Sequence, residues 1–390
     1  MPKLDKQGVE FDVFRRLDPQ HRMQIVAHDL QTLLQADRRR RFEGSEKGKT
    51  RKTRIVATSP RLPNRHLIKI TPPDRCTFVE QLMLVRDYAD LRRDRIDEIV
   101  DQRYDILSFF GLNGLLHPDR SKWTLTLLLG VQGAVAQLGM PLKHLAYCPR
   151  PIDYSRRVMP IIETPTHSTF PSGHACEAFA VAMVLRCLMH RCGVFTNSDG
   201  SPKEAPSLQQ EDLRTVLANF ASIHEFRIAH RIAENRVVAG VHFPVDNVVG
   251  AIIGIMVGAC FVWAMAGPRR LRPMQKQREL ERVSDADWNK YYADLEGVCS
   301  LPKVRVYASN LEGDFALAHF QKMIDETMKR SEKSDEGNQS TSAKADDPVA
   351  IDEPMPVENA SPLMRRVWRE ALREWHPTIG SNSSDGDGGK

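Results

Sequence analysis

The sequence predicts an all-α chain, and three observations predict it. Between Phe78 and Phe110, Leu82, Val85, Ala89, Ile96 and Ile99 recur at helical steps, with charged residues between them. Trp123 to Leu142 and Val245 to Ala266 are apolar nearly all round, which marks helices buried among other helices. Ala175 to Leu188 keeps Phe179, Met183 and Leu188 on one face, and Ser172 precedes it where a hydroxyl can accept a first-turn N–H.

Taken in order, residues 1–76 read as a polar, partly flexible arm, with a short helix near Gln20 to Leu34. Residues 37 to 54 carry nine Lys/Arg and three acids, the pattern of a solvated, mobile segment. Residues 55 to 76 hold four prolines and read as extended from Ile55 to Thr71. Residues 77–268 form the helical body. Within it, Lys143 to Met159 is a basic, Pro-broken loop and Cys192 to Leu208 a Gly/Pro/Ser connection. Asp212 to Arg231 reads as a helix facing inward through Leu213, Val216, Leu217, Phe220 and Ile223. Pro244 suits the first turn of the last helix, which stops at Gly267-Pro268. Residues 269–330 read as a polar extension with short helices at Asp285–Leu295 and Leu311–Arg330. Residues 331–361 are rich in Ser, Asp, Glu, Lys and Pro and read as disordered. In 362–390 a helix from Leu363 to Trp375 docks through Leu363, Val367, Trp368, Leu372 and Trp375, followed by a mobile tail.

The balance of 55 Lys+Arg against 50 Asp+Glu is too even to imply a nucleic-acid partner. The 7 cysteines form no C-x-x-C pair and no zinc pattern, so they read as small buried hydrophobes of a reducing compartment. The first residues lack an apolar core, so no secretory signal is expected and the location expected is cytoplasmic. Val248 to Ala266 is 19 residues without a charge, the length of a membrane span, and Gly250, Gly254 and Gly258 recur every fourth residue on a close-packing face. With charged helices before it and a mean hydropathy of −0.40, that helix is assigned to a core, with no stable membrane insertion. The apolar helices and C-terminal Trp residues leave room for a homodimer.

Three segments carry the chemistry. K-H-L-A-Y-C-P-R-P places six residues between Lys143 and Arg150. P-S-G-H places Ser172, Gly173 and His174 where a loop becomes a helix. In the third, five residues separate Arg236 from His242 and three separate His242 from Asp246. The free N–H groups at Gly173 and His174 and the helix dipole make an anion site. Lys143, Arg150 and Arg236 supply fixed charge and forked donors for a tetrahedral oxyanion. His174 brings a ring that titrates near neutrality. Asp246, one turn beyond His242, can accept one ring N–H and leave the other nitrogen as a lone pair, so His242 reads as nucleophile or metal ligand. His224, His230, His144 and His190 read as structural or surface residues.

The pattern K-x6-R-P, P-S-G-H, R-x5-H-x3-D resembles that of the superfamily of type 2 phosphatidic acid phosphatases and vanadium-dependent haloperoxidases. One position departs, with Asn235 where the family has Ser. The resemblance implies an all-α helical bundle of the vanadium haloperoxidase/acid phosphatase type with the site between its helices. It implies that Lys143, Arg150, Ser172, Gly173 and Arg236 hold the oxyanion and that His174 is the acid–base group. His242 would be the axial vanadium ligand, or the nucleophile that becomes phosphohistidine in the phosphatase branch.

Two halide-site candidates bear on the branch. His167 precedes Pro171 by four residues, where the bromoperoxidases of the family also have His and the chloroperoxidases an aromatic. Met140 stands three before Lys143, where chloroperoxidases have Trp. The resemblance thus implies a vanadate cofactor, with hydrogen peroxide and bromide or iodide as substrates. Its alternative is a soluble acid phosphatase acting on small phosphoesters without a cofactor.

Overall fold

A computed structural model describes residues 6–37, 41–43, 50–57, 66–114, 116–189, 220–266, 300–311, 315–323, 325–326, 349–356 and 360–375. Its helices are α1 (Lys6–Arg16), α2 (Pro19–Gln31), α3 (Arg75–Tyr88), α4 (Arg92–Asp101), α5 (Leu107–Gly114), α6 (Lys122–Ala146), α7 (Pro151–Tyr154), α8 (Gly173–Met189), α9 (His224–Val238), α10 (Pro244–Ala266) and α11 (Pro362–Trp375). Its strands are β1 (Leu34–Ala36), β2 (Arg41–Glu43), β3 (Thr50–Ala57), β4 (His66–Thr71), β5 (Ser300–Tyr307) and β6 (Val349–Pro356). The body is the expected all-α bundle.

The core is the contact of α8 with α10. A Cβ on Gly250 would stand 2.7 Å from the Ser172 carbonyl oxygen, one on Gly254 2.5 Å from that of Cys176, and one on Gly258 3.0 Å from that of Ala180. The four-residue glycine repeat therefore lets two backbones touch, and it brings the start of α10 against the start of α8. Around this pair, Phe179, Phe220 and Phe226 stack on α8 and α9, and each large apolar side chain buried contributes about 1.5–3 kcal/mol. Two helical segments, Lys122–Tyr154 and Pro244–Met265, are long and apolar enough to cross a membrane. Within the chain, half of the most apolar window of the first is buried and all of that of the second.

The amphipathic stretch Phe78–Phe110 is broken into α3, α4 and α5. The Asp105 carboxylate accepts the N–H groups of Leu107 and Ser108 and so starts α5 as a separate helix. The helix expected to end at Arg231 runs on to Val238, because nothing in A-E-N-R-V-V breaks it before Gly240, whose φ of +79° turns the chain. The helix begins only at His224, Phe220–Ser222 forming a separate 3₁₀ turn before it, and residues 212–219 lie outside the described residues, as do Asp285–Leu295 and Cys192–Leu208. Lys143 belongs to the last turn of α6, and the loop after it holds the short α7.

The flanks differ more. Their strands form one sheet of order β1-β3-β4-β5-β6, with β2 on β3, in which β4 and β5 are parallel and the other pairs antiparallel. Residues 41–43 and 50–54, read as a mobile basic segment, are strand residues. So are residues 349–356, inside the segment read as disordered. Ile55, Ile68, Ile70, Val304 and Val306 are buried. The two prolines of β6 are tolerated because it is an edge strand. Of Leu311–Arg330, residues 317–323 are helical.

Helix α11 docks as expected through buried Met364, Val367, Trp368, Ala371 and Leu372. It also caps α6. The Glu374 carboxylate accepts the N–H groups of Trp123 (2.7 Å) and Thr124 (2.8 Å) and the Thr124 hydroxyl (2.7 Å).

Candidate active site

Ser172 caps α8, its Oγ accepting the Ala175 N–H at 3.5 Å, and its own N–H donates to the Asp246 carbonyl at 3.0 Å. One backbone bond thus joins the second and third motif segments. The nearest atoms to a Cβ added on Gly173 are Glu177 Oε1 and Lys143 Cε, both at 3.7 Å, which is ordinary van der Waals contact.

His242 and Asp246 pair at i,i+4 across the start of α10. Asp246 Oδ2 lies 3.0 Å from His242 Nδ1, and also accepts the Thr169 hydroxyl at 2.5 Å and the Phe243 N–H at 2.9 Å. A carboxylate accepts, so Nδ1 carries the ring proton and Nε2 the lone pair. Arg150 Nη1 lies 3.1 Å from that Nε2 and donates to it. Burial, then the charges of Arg150 and Lys143, hold His242 well below its ordinary pKa, so its ring is neutral. Burial pushes Asp246 above the usual carboxylate range, opposed by its hydrogen bonds.

The three cations are buried at 3% (Lys143), 3% (Arg150) and 1% (Arg236) exposure, yet they are engaged differently. Lys143 Nζ donates to three carbonyls of the loop that leads into α8, at Ser168 (3.1 Å), Thr169 (3.2 Å) and Pro171 (2.5 Å). It shapes the loop and adds charge. Arg150 Nε donates to the His167 carbonyl at 3.1 Å, Nη1 to the Val241 carbonyl at 2.7 Å, and Nη2 to His167 Nδ1 at 3.1 Å. Arg236 Nη2 donates to the Ile99 carbonyl and to Gln102 Oε1, each at 3.1 Å, while its Nε is buried with no partner among the described residues. Burial lowers both arginines to about 10 and lowers Lys143 too, the last with help from Arg150. Three desolvated cations against Asp246 and Glu177 leave an excess of positive charge that an anion would relieve.

His174 stands at the rim on the first turn of α8. Its Nε2 donates to the Gln102 carbonyl at 2.9 Å, which leaves Nδ1 as the lone pair. Burial, then the Arg236 charge, lowers its pKa, so this ring too is neutral. The Gln102 side chain works on the neighbouring turn of α9. Its Oε1 accepts from Asn235 Nδ2 (3.0 Å) and Arg236 Nη2 (3.1 Å). Asn235, where the family has Ser, also donates to Glu98 Oε2 at 3.0 Å, and Glu98 pairs with Arg231 at 2.8 Å. The change to Asn thus comes with a polar network on α4.

Residues 121–270 match the sequence profile of the PAP2 superfamily. Over that segment the chain is similar to the PAP2 superfamily. No curated protein matches the chain. The matched segment holds all three motif segments. That similarity fits either phosphatase or haloperoxidase activity. Helix α4 and Gln102 lie outside the matched PAP2 segment and still reach the site.

Every motif residue expected at the site is in or beside this cluster. His167 is in it through Arg150. Met140 is 49% exposed on α6 and stands outside the hydrogen-bonded set. His230 is structural, stacked on Phe315 at 4.6 Å. Thr169, Gln102 and Glu177 were not legible. Thr169 follows no motif spacing, Gln102 lies 72 residues from His174, and Glu177 reads as a polar gap in an apolar helix. The described cysteines 148, 176, 187 and 260 are buried, and Cys76 is exposed.

Proposed function

We propose that this protein is a vanadate-dependent haloperoxidase-like enzyme that uses hydrogen peroxide to oxidise bromide or iodide rather than chloride. The observation that carries this reading is the state of His174, a neutral ring with its Nε2 proton spent on the Gln102 carbonyl and Nδ1 free. Such a ring begins the cycle as a base, which suits a reaction that starts by taking a proton from peroxide.

The residues fit a bound vanadate. The donor set is cationic, and Arg236 Nε is a buried donor without a partner among the described residues. Arg150, Arg236, Ser172, Gly173 and, through its charge, Lys143 would hold the oxyanion, and His242 Nε2 would be the side-chain nitrogen that binds it. When bound, vanadate supplies a Lewis-acidic centre that makes peroxide electrophilic towards halide. The chain's own groups do the rest. Asp246 keeps the proton on His242 Nδ1 and so aims the Nε2 lone pair. Arg150 and Arg236 offset the anion's charge. His174 takes a proton at Nδ1 and returns it as halide, hydrogen peroxide and a proton become hypohalous acid and water. His167, held beside Arg150, adds a second imidazole for the softer halides.

A second reading, a phosphatase acting on small phosphoesters, is favoured by the same Nε2 lone pair. His242 would attack phosphorus to give a phosphohistidine, and His174 would protonate the leaving oxygen once a dianionic ester had raised its pKa. The test is to load the protein with vanadate and assay bromide and iodide oxidation by hydrogen peroxide, with phosphomonoester hydrolysis of the vanadate-free protein in parallel. Vanadate-dependent halide oxidation that falls in His167→Ala is the expected result. Phosphate release with no such oxidation would establish the phosphatase instead.

A further inference from the structure

Glu177 lies one turn into α8 and has no part in the chemistry above. Helical side chains lean towards the N-terminus, so that of Glu177 folds back over Gly173. With Lys143 Cε it is the nearest group to Gly173 on its Cβ side, its Oε1 3.7 Å from where a Cβ would stand. From α6, Gln132 Nε2 donates to Glu177 Oε2 at 3.0 Å, which leaves Oε1 as the oxygen on the Gly173 side. A carboxylate there would repel an oxyanion. A carboxylic acid would add an O–H donor to the N–H groups of the helix. Burial pushes Glu177 up to about 7 against the pull of Gln132 and Lys143, and an anion beside it pushes the same way.

We propose that Glu177 is a further oxyanion-binding residue, its protonated carboxyl donating a hydrogen bond from Oε1 to an anion held at the start of α8. The inference rests on the reading of this pocket as an oxyanion site. It makes anion binding take up a proton where the free protein holds Glu177 ionised, so affinity falls as pH rises.

Other charged or titratable groups stand close to one another around the start of α8. They are Lys143 from α6, Arg150 and His167 from the loops, Arg236 from α9, His242 and Asp246 at the start of α10, and His174 and Cys176 on α8. Burial places Cys176 near 12 and the arginines near 10, outside the range of interest, whereas Lys143 near 8 lies at its upper edge. Variants therefore carry the test.

The probe is tungstate at micromolar concentration, a tetrahedral dianion, with its affinity measured by calorimetry between about pH 6.5 and about pH 8.5 in the full chain. Wild-type affinity should fall by up to roughly ten-fold per pH unit above the Glu177 pKa. Glu177→Gln keeps the Gln132 contact and an N–H donor but cannot titrate, so it should bind at about pH 6.5 as wild type does and flatten that fall. Glu177→Leu removes the donor and should lose roughly ten-fold or more at about pH 6.5. A Glu177→Gln profile as steep as wild type would assign the fall to Lys143 or another group and overturn the proposal. So would Glu177→Leu binding as tightly as wild type. Wild type that binds no tungstate would sink the oxyanion reading itself, and this inference with it.

Discussion

The Gln102 carbonyl oxygen lies 2.9 Å from His174 Nε2, so the end of α4 determines which nitrogen of that ring is free. The Gln102 side chain meanwhile holds Arg236 at 3.1 Å. One residue outside the PAP2-matched segment thus sets a proton position through its backbone and a guanidinium position through its amide.

These two roles separate by mutation. Gln102→Leu removes the acceptor of Arg236 and Asn235 and keeps the backbone carbonyl. It should raise KM for a phosphoester, or weaken vanadate binding, by roughly ten-fold. The pH profile of turnover should stay in place, because His174 keeps its partner. A shifted pH profile with an unchanged KM would contradict this division.

His242→Ala removes the lone pair that Asp246 fixes and Arg150 faces. Turnover of either type should drop by roughly four orders of magnitude or more, as for loss of a nucleophile. The measurement is kcat for phosphoester hydrolysis and for vanadate-dependent bromide oxidation. Near-native turnover in either assay would remove His242 from its proposed role.

Asp246 gives a pH limb with a definite sign. Its folded-state pKa is raised to about 6 by burial, and the ionised form orients and supports the His242 ring. As pH falls through about 6 the carboxyl takes a proton and turnover should fall with it. Asp246→Asn should retain oxyanion binding but lose roughly 100-fold in turnover, and this acidic limb should vanish. An unaltered acidic limb in the variant would assign the titration to another group.

The glycines of α10 predict a graded series. Gly254→Ala would bring a Cβ to 2.5 Å from a backbone oxygen and Gly250→Ala to 2.7 Å, against 3.0 Å for Gly258→Ala. The first two should each cost about 1–3 kcal/mol in urea unfolding, and the third less. Gly250→Ala alone should also lower activity, because the oxygen it meets belongs to Ser172, the cap of α8. Equal activity loss in Gly254→Ala would show that general softening is the cause.

The helices and the chemistry of the motif segments were legible in sequence because both are local. The apolar period of α8 and α10, the Ser172 cap, the glycine repeat and the four-residue step from His242 to Asp246 depend on a few turns of one chain. The docked helix α11 was legible for the same reason, since its anchors recur along one face. The tertiary structure decided what depends on distant pairing. A basic run beside Arg51 became β3, and a Pro-rich acidic stretch became β6, because each found a ladder partner: β3 pairs with β4, and β6 with β5, which runs parallel to β4 in the same sheet. It also decided that Lys143 spends its donors on three loop carbonyls, that Thr169 reaches Asp246, and that α4 supplies Gln102. Glu177 shows the limit most plainly. In sequence it is one acid in an apolar helix. Its position over Gly173, its bond from Gln132 and its desolvation exist once α6 packs on α8, and those three facts decide whether its carboxyl carries a proton.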